Sequence, residues 1–217
     1  MLDFAAARAV MVESQLRPNG ITDHRILDAM QFVERETFVP ESQQTLAYSD
    51  GEVPLTAERN LISPMNFARL LQLAKLEPVE SVLIIGAETG FGPSVAALLA
   101  GKVTALESDA DLLPQLQSRT RPFANITTAK GLLQEGDQAH APYDVILVAG
   151  RIGQLPQQIV QQVKPKGRIV AGFGSNLAAK LCVWQRDGDG VSRRPAFEAT
   201  MTALPGFSVG APAFIFA

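Results

Sequence analysis

A doubly wound α/β fold is predicted: a seven-stranded, mostly parallel sheet with an antiparallel C-terminal hairpin, preceded by a helical N-terminal segment. Three observations predict it. From residue 78 onward, apolar runs of strand length alternate with helical patterns, as they do when helices cover both faces of a parallel sheet. The first of those runs ends in a glycine-rich turn, VLIIGAETGFGPSV, spanning Val82 to Val95. The last two are joined by RDGDGVSRR, whose Asp187-Gly188 and Asp189-Gly190 pairs are hairpin turn chemistry.

The elements follow in chain order. Phe4, Ala7, Met11 and Ser14 recur at helical spacing, so residues 3–16 read as a helix. A second covers 22–33, with Thr22 as its capping candidate and Ile26, Leu27 and Met30 on one face. Pro18, Asn19 and Gly20 form the turn between them. Regularity is lost from Phe38 to Pro64 apart from a short helical possibility at 42–46, and a loop of such length in a compact domain is more often functional than idle. Pro64 suits the first turn of a helix that carries Phe67, Leu70, Leu71 and Ala74 on one side. Strands are expected at 81–85, 102–107, 125–129, 143–149, 167–173, 179–185 and 196–203, and helices near 92–100, 109–119 and 155–163. The chain thus divides into a helical cap and loop at 1–77 and an α/β domain at 78–217, forming one compact unit.

Composition narrows the classes of function. The 217 residues are 47% apolar, enough for a well-buried core. A formal charge of −3 with scattered basic residues gives no electrostatic footprint for nucleic acid or an anionic membrane. One cysteine, Cys182, excludes an internal disulfide and fits a reducing cytoplasm; Cys182 and Trp184 are two apart on an expected strand and share a core face. Two histidines, His24 and His140, sit in polar surroundings and are too few for a Cys/His metal site, so no metal is expected. The N-terminus lacks the charge order of a secretory leader. The longest apolar run, Val95 to Ala100, is far short of the ~20 residues of a spanning helix. The reading is of a cytoplasmic protein.

The glycine turn lies at the carboxyl end of the first central strand, where doubly wound sheets bind ligands. Gly86, Gly90 and Gly92 do not fit the dinucleotide spacing, and no Gly-Lys-Ser/Thr ending makes it a P-loop. Gly86, Ala87, Glu88, Thr89 and Gly90 are similar to the G-x-G-x-G loop of S-adenosylmethionine-dependent methyltransferases, with Glu88 at the middle glycine. Glu107 ends the second strand about 20 residues later, an offset from which a carboxylate takes ribose hydroxyls. Alternatively, it caps the helix beginning near Asp109.

Beyond the loop, the chain resembles the protein-L-isoaspartate O-methyltransferase family over nearly its full length. MVESQLRPNGITDHRILDAMQFVERETFVPE resembles the family's opening, YSDGEVPLTAERNLISP its substrate loop, and YDVILVAGRIGQLPQQIVQQVKPKGRIVAGFG its fourth and fifth strands. RDGDGV and ALPGF match its closing segments. The resemblance implies a Rossmann-like, methyltransferase-type sheet, S-adenosylmethionine as cofactor, and methylation of the carboxylate of damaged aspartyl residues in isoaspartyl-containing peptides or proteins. That carboxylate is already ionised at pH 7, so alignment and exclusion of water are the enzyme's main tasks. Ser63 matches the active-site serine and is also well placed to cap the helix at Pro64. Gly86, Ala87, Glu88, Thr89, Gly90, Glu107 and Leu132 would line the cofactor, with Arg59, Asn60, Leu61 and Ile62 as the rest of the substrate loop.

The chain departs from the family pattern at several of these positions. Ile84 stands where an acid is usual, Glu88 replaces a glycine, Gly131-Leu132-Leu133 replaces Gly-Asp-Gly, and Arg59 occupies the glycine position of Gly-Gln-Thr-Ile-Ser. Glu88 is expected to face the cofactor's ammonium or its carboxylate, or to occupy the helix N-terminus itself. Two other readings therefore stand beside the isoaspartyl enzyme: a non-catalytic methyltransferase-fold binding module, and a methyltransferase for another small acceptor.

Overall fold

The computed structural model describes residues 3–175, 178–188 and 190–207. Its N-terminal helix α1 (Phe4–Val10) is capped by Asp3 and runs directly into a wider π-type turn at Met11–Leu16, which buries Met11, Val12 and Leu16. In α2 (His24–Phe32) the cap is Asp23, whose carboxylate accepts from Arg25 N at 2.9 Å. Thr22, the expected cap, is instead drawn to Gln72, with its backbone N 2.7 Å from Oε1. Aspartate one position nearer the helix wins because it offers a charged acceptor to the free amides.

Residues 38–64 hold more order than their sequence suggests. Two 3₁₀ turns (Arg35–Phe38 and Glu41–Leu46) lead into a small antiparallel ribbon of β1 (Val53–Pro54) and β2 (Asn60–Leu61). The ribbon's turn is closed by Leu55 N and Thr56 N donating to Arg59 O at 2.9 and 3.0 Å. Helix α3 (Pro64–Ala74) then begins at Ser63 and ends on Lys75, which is left-handed at φ 52°.

Seven further strands form one sheet: β3 (Ser81–Ile85), β4 (Lys102–Glu107), β5 (Ile126–Lys130), β6 (Tyr143–Ile152), β7 (Val163–Phe173), β8 (Ala178–Asp187) and β9 (Gly190–Thr200). Their order is β5-β4-β3-β6-β7-β8-β9, parallel from β5 to β7 and antiparallel across β8 and β9. Helices α4 (Phe91–Ala97), α5 (Leu113–Thr120) and α6 (Gln157–Gln161) occupy the crossovers. The fold class is that of the sequence reading, with β7 and β9 starting earlier and the two later helices shorter. Asp189, within the hairpin turn, lies outside the described residues.

Two apolar clusters flank the sheet. One joins Met11, Leu27, Phe67 and Leu71 of the N-terminal region to Val82, Ile84, Val95 and Val145, so the helical cap and the sheet share a continuous core. The other packs Leu83, Ile85, Ile146 and Val148 against Ile159, Cys182, Trp184 and Leu204. Cys182 and Trp184 thus share a face, as their spacing predicts. No helix among the described residues is long and apolar enough to cross a membrane, and no group of three or more metal-ligating side chains occurs among them.

Candidate functional site

The strand order places the fold's switch point between β3 and β6, because the chain leaves β3 towards β4 and returns on the other side. Gly86 follows β3 with φ +79°, and Gly90 precedes α4 with φ +106°. Between them, Glu88 holds a left-handed φ of 56°, a conformation natural for the glycine it replaces and strained for a glutamate. Ala87 N and Gly86 N donate to Leu106 O, tying the loop to β4. Ala87 packs with Ala105 and Leu116, and Thr89 Oγ1 donates to Phe38 O at 2.5 Å.

Glu107 closes β4 and is completely buried. Its carboxylate accepts from four donors, three of them on one oxygen. Oε2 accepts from Glu88 N at 2.7 Å, and Oε1 accepts from Ser108 N at 2.8 Å, Asp109 N at 3.0 Å and Arg59 Nη1 at 2.6 Å. Both readings of this residue meet here, since it satisfies the amides leading to α5 and holds a cation where a ribose was expected. The Arg59 guanidinium, from the tip of the β1–β2 ribbon, is only 3% exposed. Its Nη2 has no hydrogen-bond partner and lies 3.3 Å from where a side-chain carbon on Gly86 would stand.

Glu88 does not cap α4. Its Oε1 accepts from Ile62 N at 3.1 Å, so the side chain reaches across to the residue that follows β2. Burial pushes its carboxyl up to about 8, against the opposing pull of the Arg59 and Arg35 cations and the Ile62 amide. Arg35 is fully buried beside it, donating from Nε to Ala47 O and from Nη2 to Ile62 O, both at 2.6 Å, with its guanidinium 4.7 Å from the centre of the Phe91 ring. Burial lowers Arg35 to about 10, which leaves it charged at neutral pH.

Leu204 completes the enclosure. Its methyl carbons lie 3.1 Å from the position of a side-chain carbon at Gly86, and it stands against Gly150 of β6 in the same way. A small cavity on the far side of Arg59, lined by Glu52, Glu58, Asn60, Ala149, Thr202 and Leu204 and by neither the glycine loop nor Glu107, measures about 10 Å³. That is room for a single water, whereas small-molecule pockets of cofactor size run to hundreds of Å³. An adenosyl cofactor that calls on Glu107 for its ribose would have to displace the Arg59 guanidinium from Oε1.

The remaining expected site residues are placed as follows. Ser63 is the N-cap of α3, accepting from Asn66 N at 3.3 Å, and it borders a cleft of about 380 Å³ with Asn66, Arg69, Glu52, Thr202 and Glu198. Asn60 Nδ2 donates to Thr202 Oγ1 at 3.0 Å, while Leu61 and Ile62 are buried in the core. Leu132 is 53% exposed just past the end of β5, next to Gly131, whose N donates to Glu107 O at 3.2 Å. Sequence reasoning missed Arg35, Glu52 and Leu204. It named Arg59 and Glu107 without pairing them, although opposite charges at two expected glycines, Arg59 and Glu88, were the available signal.

The model of the protein-L-isoaspartate (D-aspartate) O-methyltransferase family matches residues 7–202. A protein-L-isoaspartate O-methyltransferase of Herpetosiphon aurantiacus is 39% identical over 183 residues, which cover 83% of this chain and 82% of that protein. Its counterpart in Koribacter versatilis is 32% identical over 212 residues, covering 97% and 96%. Among solved structures, a protein-L-isoaspartate O-methyltransferase superposes with a TM-score of 0.79 at 20% identity, covering 93% of this chain and 67% of that one. A Plasmodium falciparum protein of the same description, in complex with S-adenosyl-L-homocysteine, gives 0.77 at 17% identity, covering 94% and 99%. By sequence over most of its length, and by a fold that agrees, this chain belongs to the protein-L-isoaspartate (D-aspartate) O-methyltransferase family.

Proposed function

We propose that this chain acts on damaged proteins as the rest of its family does, its reaction being transfer of a methyl group from S-adenosylmethionine to the carboxylate of an isoaspartyl residue. S-adenosylmethionine is the family's cofactor. The observation that carries the reading is the cleft beside Ser63. Arg69, which has no ion-pair partner among the described residues, lines it together with the hydroxyl of Ser63 and the amide of Asn66. A cation within α3 and a hydroxyl at its N-cap suit a peptide carboxylate, which needs orientation rather than proton transfer, with Asn66 Nδ2 held by Thr200 O at 2.9 Å beside them. Asp50, Glu52 and Glu198 border the same cleft, and Glu52 is committed to Thr202, accepting from its backbone N at 3.1 Å and its hydroxyl at 2.5 Å.

The buried lone Cys182 fits a cytoplasmic place of action. The test is release of methyl label from an isoaspartyl peptide compared with its aspartyl twin at saturating S-adenosylmethionine. Preferential labelling of the isoaspartyl form supports the reading, and equal or absent labelling of both contradicts it. A second reading, a binding module without turnover, is favoured by the Arg59–Glu107 pair. It predicts that the isoaspartyl peptide binds and is never methylated.

A further inference from the structure

We propose that Arg59 is an internal occupant of the family's cofactor crevice, competing with S-adenosylmethionine for Glu107. The proposal deepens the reading above, because it rests on that crevice being the cofactor's place.

Three independent features of the site carry it. First, Arg59 Nη1 holds Glu107 Oε1 at 2.6 Å, on the same oxygen as Ser108 N and Asp109 N, while Glu88 N takes Oε2 at 2.7 Å. Three of those donors are backbone amides fixed by the fold, so the guanidinium is the one that can leave. Second, Arg59 Nη2 is a buried donor without a partner, lying over Gly86. A donor stranded in that way is costly, and it stands where a glycine admits close approach of a ligand to the backbone. Third, Arg59 comes from the turn of a two-stranded ribbon held at its tip by Leu55 N and Thr56 N bonding to Arg59 O, with Thr56 Oγ1 donating to Asp109 Oδ2 at 3.2 Å. The ribbon tip is anchored over the crevice mouth, and its side chain reaches in.

A cation inside the chain therefore takes the place of a cationic ligand. Glu88 belongs to the same arrangement. Its carboxyl accepts from Ile62 N beside Arg59 and Arg35. Arg59 and Glu88, both at positions where the family pattern has glycines, fill the crevice from two sides.

The test is calorimetric titration of S-adenosylhomocysteine into the full chain and into Arg59→Gly and Arg59→Ser, each checked for folding by circular dichroism. Competition predicts binding at least about tenfold tighter in a folded variant than in the original chain. Equal affinity overturns the proposal. Should neither variant fold, a crystal of the original chain grown with millimolar S-adenosylhomocysteine decides. Density for the ligand on Glu107 with Arg59 displaced upholds competition, and ligand bound there with the Arg59–Glu107 pair intact, or no ligand in the crevice, refutes it. Tight binding by Arg59→Gly without methylation of any isoaspartyl peptide would sink the proposed function and leave this inference standing. Methylation by a chain whose affinity does not respond to Arg59 would do the reverse.

Discussion

Arg59 Nη1 and Glu107 Oε1 lie 2.6 Å apart with both side chains buried, joining the tip of the β1–β2 ribbon to the end of β4 across 48 residues of sequence. Removing Arg59 leaves the buried Glu107 charge with backbone amides alone, and removing Glu107 leaves the Arg59 cation buried without its counter-charge. Arg59→Met is expected to cost about 3–5 kcal/mol in urea denaturation. The double variant Arg59→Met/Glu107→Met should cost less than Arg59→Met and Glu107→Met added together, which is the sign of direct coupling.

Glu88 gives the fold a pH dependence. Burial raises its carboxyl in the folded chain to about 8, and in the unfolded chain it returns to the ordinary range near 4.3. Between those values the folded state holds the extra proton, so its contribution is fully present below about pH 4 and is lost as pH rises through 8. The midpoint of thermal unfolding should therefore fall between pH 5 and pH 8.5. Glu88→Gln should flatten that slope.

Ser63 caps α3, and its hydroxyl faces the cleft. Ser63→Ala should lose about 1 kcal/mol of stability through the cap and raise KM for an isoaspartyl peptide. Ser63→Thr retains a hydroxyl and should restore the stability. Thermal denaturation and peptide kinetics on the two variants separate the roles.

Gly90 stands at φ +106°, and a methyl group there would meet Thr120 Cγ2 at 2.8 Å. Gly90→Ala combines an unfavourable backbone with a clash against α5. A loss of about 1–3 kcal/mol is expected from overpacking alone, read from the denaturation midpoint.

The central strands were legible in the sequence because β3, β4 and β6 are buried on both faces and so read as short apolar runs. The early part of β7 was not, because Pro165 and Gly167 read as breakers where the strand carries an irregularity against β6. The start of β9 was hidden by exposed polar residues, Ser192 to Arg194, which show no alternation. At the site, Gly86, Gly90, Glu107 and Ser63 were placed by local pattern. The Arg59–Glu107 and Glu88–Ile62 contacts link distant segments, and no local periodicity encodes such pairings. Leu204 reached the crevice from a closing segment that the sequence marked only as a family match.

The most direct measurement is the rate of methyl transfer to an isoaspartyl peptide as a function of S-adenosylmethionine concentration, for the original chain and for Arg59→Gly side by side. A KM for S-adenosylmethionine at least about tenfold lower in Arg59→Gly, with preference for the isoaspartyl over the aspartyl peptide retained, is the predicted result. An unchanged KM, or labelling indifferent to the isoaspartyl linkage, would contradict it.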